Sequence, residues 1–183
     1  MVSTTPQDLS APPRPSIEQI WAWLAEIADP EIPAVSIVDL GIVREVAWNS
    51  DHDACIVTIT PTYSGCPATA VVQSRIREVL EQHNIPHVQL HLQLSPPWTT
   101  DWLTPKAIES LRVFGIAPPA SPATQQSSGI LPVIDSVAVQ EHPACPRCGS
   151  IRTTAISQFG STLCKALYRC EDCLEPFDYF KCH

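Results

Sequence analysis

No apolar run in this 183-residue chain approaches the ~20 residues needed to cross a bilayer. The opening stretch, MVSTTPQDLSAPPRPS, has neither the apolar core of a secretory signal nor an Arg-rich amphipathic pattern. Membrane insertion and export are therefore not expected, and the cytoplasm is the expected compartment. Basic residues are scarce. Only 11 Lys and Arg stand against 19 Asp and Glu, a formal net charge of −8. Most of the excess lies before residue 121, where six basic residues face thirteen acidic ones. Such a surface repels nucleic acid and anionic lipid, so a protein or small-molecule partner is expected. Catalytic signatures are missing too. There is no E-x-x-H pair of the di-iron bundle type, no G-x-G-x-x-G loop and no x₄-spaced ferredoxin cysteine set. No internal repeat is present.

What the chain does have is 44% apolar residues, enough for a core, and eight cysteines. In a cytosolic setting that many cysteines point to metal or redox chemistry rather than to disulfides. Residues 1–15 carry four prolines and few large apolar side chains, the composition of a disordered tail. Ser16 then reads as an N-cap, with Gln19 completing a capping box. Ile17, Ile20, Trp21, Leu24 and Ile27 follow at helical spacing. The loop Asp29-Pro-Glu31-Ile-Pro33 ends this helix and is stiffened by two prolines. Its two carboxylates either contact a cation or simply solvate a connection. Asp39-Leu40-Gly41 marks a second polar break. Ile42–Trp48 and Ala54–Thr60 read as a β-hairpin around the turn at 49–53.

The next stretch, Thr60-Pro-Thr-Tyr-Ser-Gly-Cys66-Pro67, joins that strand to a helix running to about His83. Pro67 suits a first helical position. Cys66 is thereby placed at the helix mouth, where the dipole and unpaired N–H groups favour a thiolate, the form that binds metal or attacks an electrophile. The alternative is a cysteine buried as a small hydrophobe. Beyond the helix, Val88, Leu90, Leu92 and Leu94 alternate with His87, Gln89, His91 and Gln93, a period-two strand. His87 and His91 share its solvated face. Thr104-Pro105 starts a last short helix, which Gly115 stops.

The order α-β-β-α-β-α predicts an α+β domain over residues 16–116, with helices covering a small mixed sheet. A Pro-, Ser- and Gln-rich linker is expected at 117–135, and a second domain at 136–183. In that second domain Cys145-x-x-Cys148 and Cys170-x-x-Cys173 flank a hairpin, Ile151–Phe159 and Thr162–Arg169. Two such knuckles at one end of short strands bring four sulfurs to a tetrahedral site, a small all-β zinc ribbon. Iron is an alternative occupant of the same thiolates. In so small a segment the metal supplies much of the folding free energy. Cys164 reads as a packing residue within a strand, and Cys182-His183 as an exposed tail or an extra ligand pair.

Three motifs carry a family resemblance: DPEIP at 29–33, VDLG at 38–41 and SGCP at 64–67. Residues from Ile17 to about Gly115 resemble the iron–sulfur cluster assembly domain of SufT-like proteins. With CPRCGS at 145–150 and EPFDYFKCH at 175–183, the chain resembles the PaaD family, the D proteins of bacterial phenylacetyl-CoA epoxidase systems. The resemblance implies a maturation role rather than catalysis, with the epoxidase reductase or oxygenase subunits as partners. It places the key cysteine on Cys66, a transient holder of iron or a cluster, with Asp29, Glu31 and Asp39 on supporting loops. One such cysteine per chain cannot complete a four-thiolate cluster site. A homodimer, a client's cysteines or a small thiol must then supply the rest. Two other functions compete with maturation. One is a non-catalytic adaptor bridging oxygenase and reductase. The other is a thiol enzyme with Cys66 as nucleophile and His52, His83, His87 or His91 as base.

Overall fold

The computed structural model describes residues 14–119 and 142–181. Most of the expected tail and linker, and Cys182-His183, lie outside these residues. The first helix, α1 (Ile17–Leu24), opens on the expected capping box: the Ser16 side chain accepts from the Gln19 amide, and the Gln19 side chain accepts from the Ser16 amide. It stops a turn earlier than expected. Ile27, outside the helix, donates its amide to Leu24 and accepts from Ile37, so the chain turns into the Asp29 loop before Pro30.

The first sheet has β1 (Val43–Trp48), β2 (Cys55–Ile59) and β3 (Val88–Leu92) in that spatial order. β1 and β2 pair antiparallel, and β2 and β3 pair parallel. The parallel step requires a crossover, which α2 (Ala68–Gln82) supplies. β2 is the buried centre, with Val57 and Cys55 fully enclosed. Ile20 and Leu24 of α1 and Val72, Ile76 and Leu80 of α2 pack on it. β3 departs from its expected alternation. Leu92 and Leu94 are about half exposed, because β3 is an edge strand and neither residue is covered by a helix.

The chain continues through a 3₁₀ turn (Thr100–Trp102) into α3 (Pro105–Phe114), capped by Thr104 and closed by Gly115 at φ 91°. The VDLG stretch anchors this part. The Leu40 carbonyl accepts from Trp98 Nε1 at 2.8 Å. Gly41 has φ 69°, and a Cβ there would lie 2.7 Å from both Cβ and the carbonyl oxygen of Trp102. Only glycine meets both demands.

The residue expected to open the linker, Ala117, is instead fully buried in β4 (Ile116–Ala117). β4 pairs parallel with β7 (Pro176–Phe180), which pairs with β6 (Lys165–Cys170), which pairs with β5 (Thr153–Ser157). Phe177-Asp-Tyr-Phe180 thus belongs to an internal strand of the ribbon sheet. The two halves exchange core residues. Ala117 joins the ribbon core with Phe177 and Tyr179, while Cys164 and Phe180 join the core of the first half. Phe180 sits edge-on to Trp98, ring centroids 5.8 Å apart.

Candidate functional site

The ribbon cysteines converge as their spacing implies. The sulfurs of Cys145, Cys148, Cys170 and Cys173 all lie within 4.8 Å of one another. Cys145 and Cys173 are 3.7 Å apart, and Cys148 and Cys170 are 3.5 Å apart. A tetrahedral zinc with Zn–S bonds of ~2.3 Å requires sulfurs roughly 3.8 Å apart, so the donor set fits the metal. Backbone bonds hold both knuckles. Cys145 donates to the Ser150 carbonyl and Gly149 to that of Cys145, while Cys170 donates to Glu175. The bends need positive φ at Gly149 and Leu174. Asp172 ties the two knuckles together, accepting from Ser150 Oγ on one side and from the Arg152 guanidinium. With all four positions taken by sulfur, the site is structural and closed to substrate.

A second cluster of chemically capable side chains lies at the join of the two halves. The 60–67 loop turns through a Cys66 amide to Tyr63 carbonyl bond of 3.3 Å, with Gly65 at φ 81°. Pro67 is the residue flanking α2, already at helical φ and ψ, and the Thr69 amide donates back to the Cys66 carbonyl. Cys66 therefore sits two residues before Ala68, the first residue of α2, and is half-buried. No acidic side chain occupies the first turn of α2, and no side chain caps it. The helix's positive end is left facing this loop.

Cys66 lines a pocket with Asp29, Glu31, Cys164 and Phe180, backed by apolar residues including Ile59 and Val72. Asp29 is buried and accepts from the amides of Ile32 (2.8 Å) and Glu31 (2.9 Å), so it shapes the loop that presents Glu31. Burial pushes the Asp29 carboxyl above its ordinary value, against the pull of those two amides. Cys164 is not a strand residue. It precedes β6, it is 2% exposed, and its thiol donates to Glu31 Oε2 at 3.4 Å. Burial first, then the Glu31 charge and hydrogen bond, push that thiol up to about 12. Tyr63 also faces this group. Burial raises its phenol, and its hydrogen bond with Cys66 and the nearby Glu31 and Cys164 act in the same direction.

Not every residue expected near Cys66 is there. Asp39 accepts from Ser36 Oγ (2.9 Å), Thr104 Oγ1 (3.0 Å) and Lys106 Nζ (2.8 Å). It fastens the VDLG loop to α3. Burial acts to raise its carboxyl, but those three donors outweigh it and hold the group below the ordinary value. The four histidines are also elsewhere. His52 is in the hairpin turn, His83 stacks on Trp23 at the far end of α2, and His87 and His91 are exposed at β3. Cys164 is the residue that the sequence did not bring to this pocket. Only a fold that docks the ribbon on the Asp29 loop puts positions 31 and 164 in contact.

Comparison with known proteins bears on both sites. Residues 132–181 match the PaaD zinc beta ribbon domain, and residues 17–89 match the iron–sulfur cluster assembly protein family. Over 168 residues the chain is 49% identical to a protein of Escherichia coli (strain K12) that is provisionally named as the D component of 1,2-phenylacetyl-CoA epoxidase. That alignment spans 92% of this chain and 94% of the relative. The chain belongs to the PaaD family. Its first half is also similar to shorter proteins. The Fe-S protein maturation auxiliary factor YitW of Bacillus subtilis (strain 168) is 32% identical over 46% of this chain and 81% of its own length. The Fe-S protein maturation auxiliary factor SufT of Staphylococcus aureus (strain USA300) is 35% identical over 43% and 88%. As a PaaD-family member, the chain thus joins an assembly-type domain to a zinc ribbon. Among its described residues, no helix is long and apolar enough to cross a membrane.

Proposed function

We propose that this protein is a non-catalytic accessory factor of iron–sulfur maturation, serving the components of a phenylacetyl-CoA epoxidase system in the cytoplasm. Its clients are the reductase, which needs an iron–sulfur cluster, or the oxygenase, which needs a di-iron centre. The observation that carries this reading is Cys66. Its sulfur stands in a pocket at the open N-terminal end of α2, facing the Asp29–Glu31 loop. A half-buried thiol at the mouth of a helix is accessible to a metal. Cys66 holds iron or a cluster transiently. The zinc ribbon stabilises the fold and presents the client-binding side. Among the described residues no histidine lines the pocket, so none of the four candidate bases stands beside Cys66.

A second reading, an adaptor that only bridges oxygenase and reductase, draws on a different observation. Leu94, Phe159 and Leu163 are exposed and line one groove with Tyr63 and Trp98. One experiment separates the two. Iron, sulfide and zinc are measured on protein purified without oxygen, for the native chain and Cys66→Ala, and each is supplied to the epoxidase components. Carriage predicts iron and sulfide that vanish in the variant while zinc stays, together with loss of client activity. Unchanged client activity with Cys66→Ala would reject carriage in favour of the adaptor.

A further inference from the structure

We infer that Cys66, Cys164 and Glu31 form one iron-binding set that spans the two halves of the protein, with the ribbon supplying the second thiol. The inference rests on the reading of Cys66 as an iron or cluster carrier. It adds two further ligands from the same chain.

The placement of Cys164 carries the argument. The residue is buried against the core of the first half, yet its thiol is aimed at a carboxylate 133 positions away. A cysteine that only fills space needs no such partner. Its position is also fixed on several sides. Its carbonyl accepts from the Lys181 amide at 3.0 Å, and Thr162 Oγ1 lies 3.1 Å from its sulfur. Cys66 and Glu31 line the same pocket as Cys164. Two sulfurs and a carboxylate are therefore presented to one space from three elements: the loop before α2, the Asp29 loop and the turn before β6.

This donor set suits iron. Thiolates hold it firmly, and a carboxylate is an acceptable but more exchangeable ligand. The geometry also differs from the ribbon's. Among the described residues, only the ribbon quartet is already gathered within 4.8 Å. The Cys66 set is open, so an ion draws its ligands together on arrival and leaves positions for a client's thiols. Apolar residues such as Ile32, Ile59 and Val72 back the pocket and keep bulk water from the bound metal. Loading is coordination without redox change. Fe–S bonds form at Cys66 and Cys164, the thiol protons pass to solvent, and the iron stays ferrous. A second copy of the chain is not needed to provide the second thiolate.

The test uses the full zinc-loaded chain without oxygen. It compares the native protein with Cys66→Ser, Cys164→Ser and Glu31→Gln. One arm supplies Fe(II) alone, and the other Fe(II) with sulfide. Iron retained after desalting is measured beside zinc. The expected result is about one iron retained per native chain in the first arm, and ferrous iron with bound sulfide in the second. Affinity should fall at least about ten-fold in both cysteine variants and less in Glu31→Gln, with zinc unchanged. Native-like loading of Cys164→Ser, with loading lost in Cys66→Ser, would overturn the inference and leave Cys66 as carrier. No loading of the native chain by either probe, or native-like loading of Cys66→Ser, would remove both. Should Cys164→Ser unfold, Co(II) added to the zinc-loaded native chain decides. Sulfur-to-cobalt charge-transfer absorption of two thiolates supports the set, and that of one refutes it.

Discussion

Phe180 is the residue through which the ribbon enters the first core, so Phe180→Ala should destabilise both halves together. The ring belongs to β7 yet is 1% exposed, buried beside residues of α2 and β2 and edge-on to Trp98. Removing a buried Phe side chain costs about 3–5 kcal/mol in lost transfer free energy and cavity. The lost edge-to-face contact places this case towards the upper end. In a protein of this length each kcal/mol shifts the midpoint by about 2–4 °C, so a fall of roughly 6–20 °C is expected. The assay follows two signals on one heating ramp: far-UV circular dichroism, dominated by the helices of the first half, and zinc release, which reports the ribbon. Both should move by the same amount. If zinc release shifts while the helical transition stays within about 1 °C, the halves are independent units and the exchange of core residues carries no energetic weight.

Removing the ribbon metal should reach the first half by the same route. Chelation of zinc, or Cys148→Ser, is expected to unfold β5–β7 and to lower the helical transition, since Phe180 and Cys164 depart with the sheet. An unchanged helical transition in the zinc-free protein would contradict this. Asp39→Asn should cost about 1–2 kcal/mol at neutral pH through the weakened bonds from Ser36, Thr104 and Lys106. Lys106 is largely exposed and contributes the least. The pH dependence has a definite sign. The Asp39 carboxyl is held below its unfolded value near ~4, so its stabilisation is complete above that value and is lost as pH falls through the folded one. The gap between native and variant, measured by denaturant titration, should therefore close on acidification. A gap that widens in acid would refute the assignment.

Local patterns in the chain were sufficient for much of the architecture. The Ser16–Gln19 capping box, the Thr104-Pro105 helix start and the hairpin around 49–53 depend on neighbours within a few positions, and the structure has each of them. The ribbon quartet was readable for a related reason. Two C-x-x-C pairs are local motifs, and tetrahedral metal chemistry brings the pairs together without knowledge of the rest of the fold. Position before a helix likewise defined what is distinctive about Cys66.

Tertiary structure decided the remainder, because the relevant contacts join distant positions whose pattern has no period to detect. Ala117 lies in a Pro-rich, linker-like stretch, yet the unpaired edge of β7 recruits it as a strand. Leu92 and Leu94 carry an apolar alternation, but sheet order leaves them at an edge. Asp39 has the charge of a ligand, and Thr104 and Lys106, some 65 positions on, claim it for α3. Cys164 reads as an ordinary packing residue until the ribbon docks on the Asp29 loop and sets its thiol against Glu31. The sequence alone thus determined most of the elements, the zinc ligands and the candidate thiol at a helix mouth. The packing of one half on the other decided what surrounds that thiol, since burial of Phe180 and Cys164 in a shared core is what holds the pocket's two walls together.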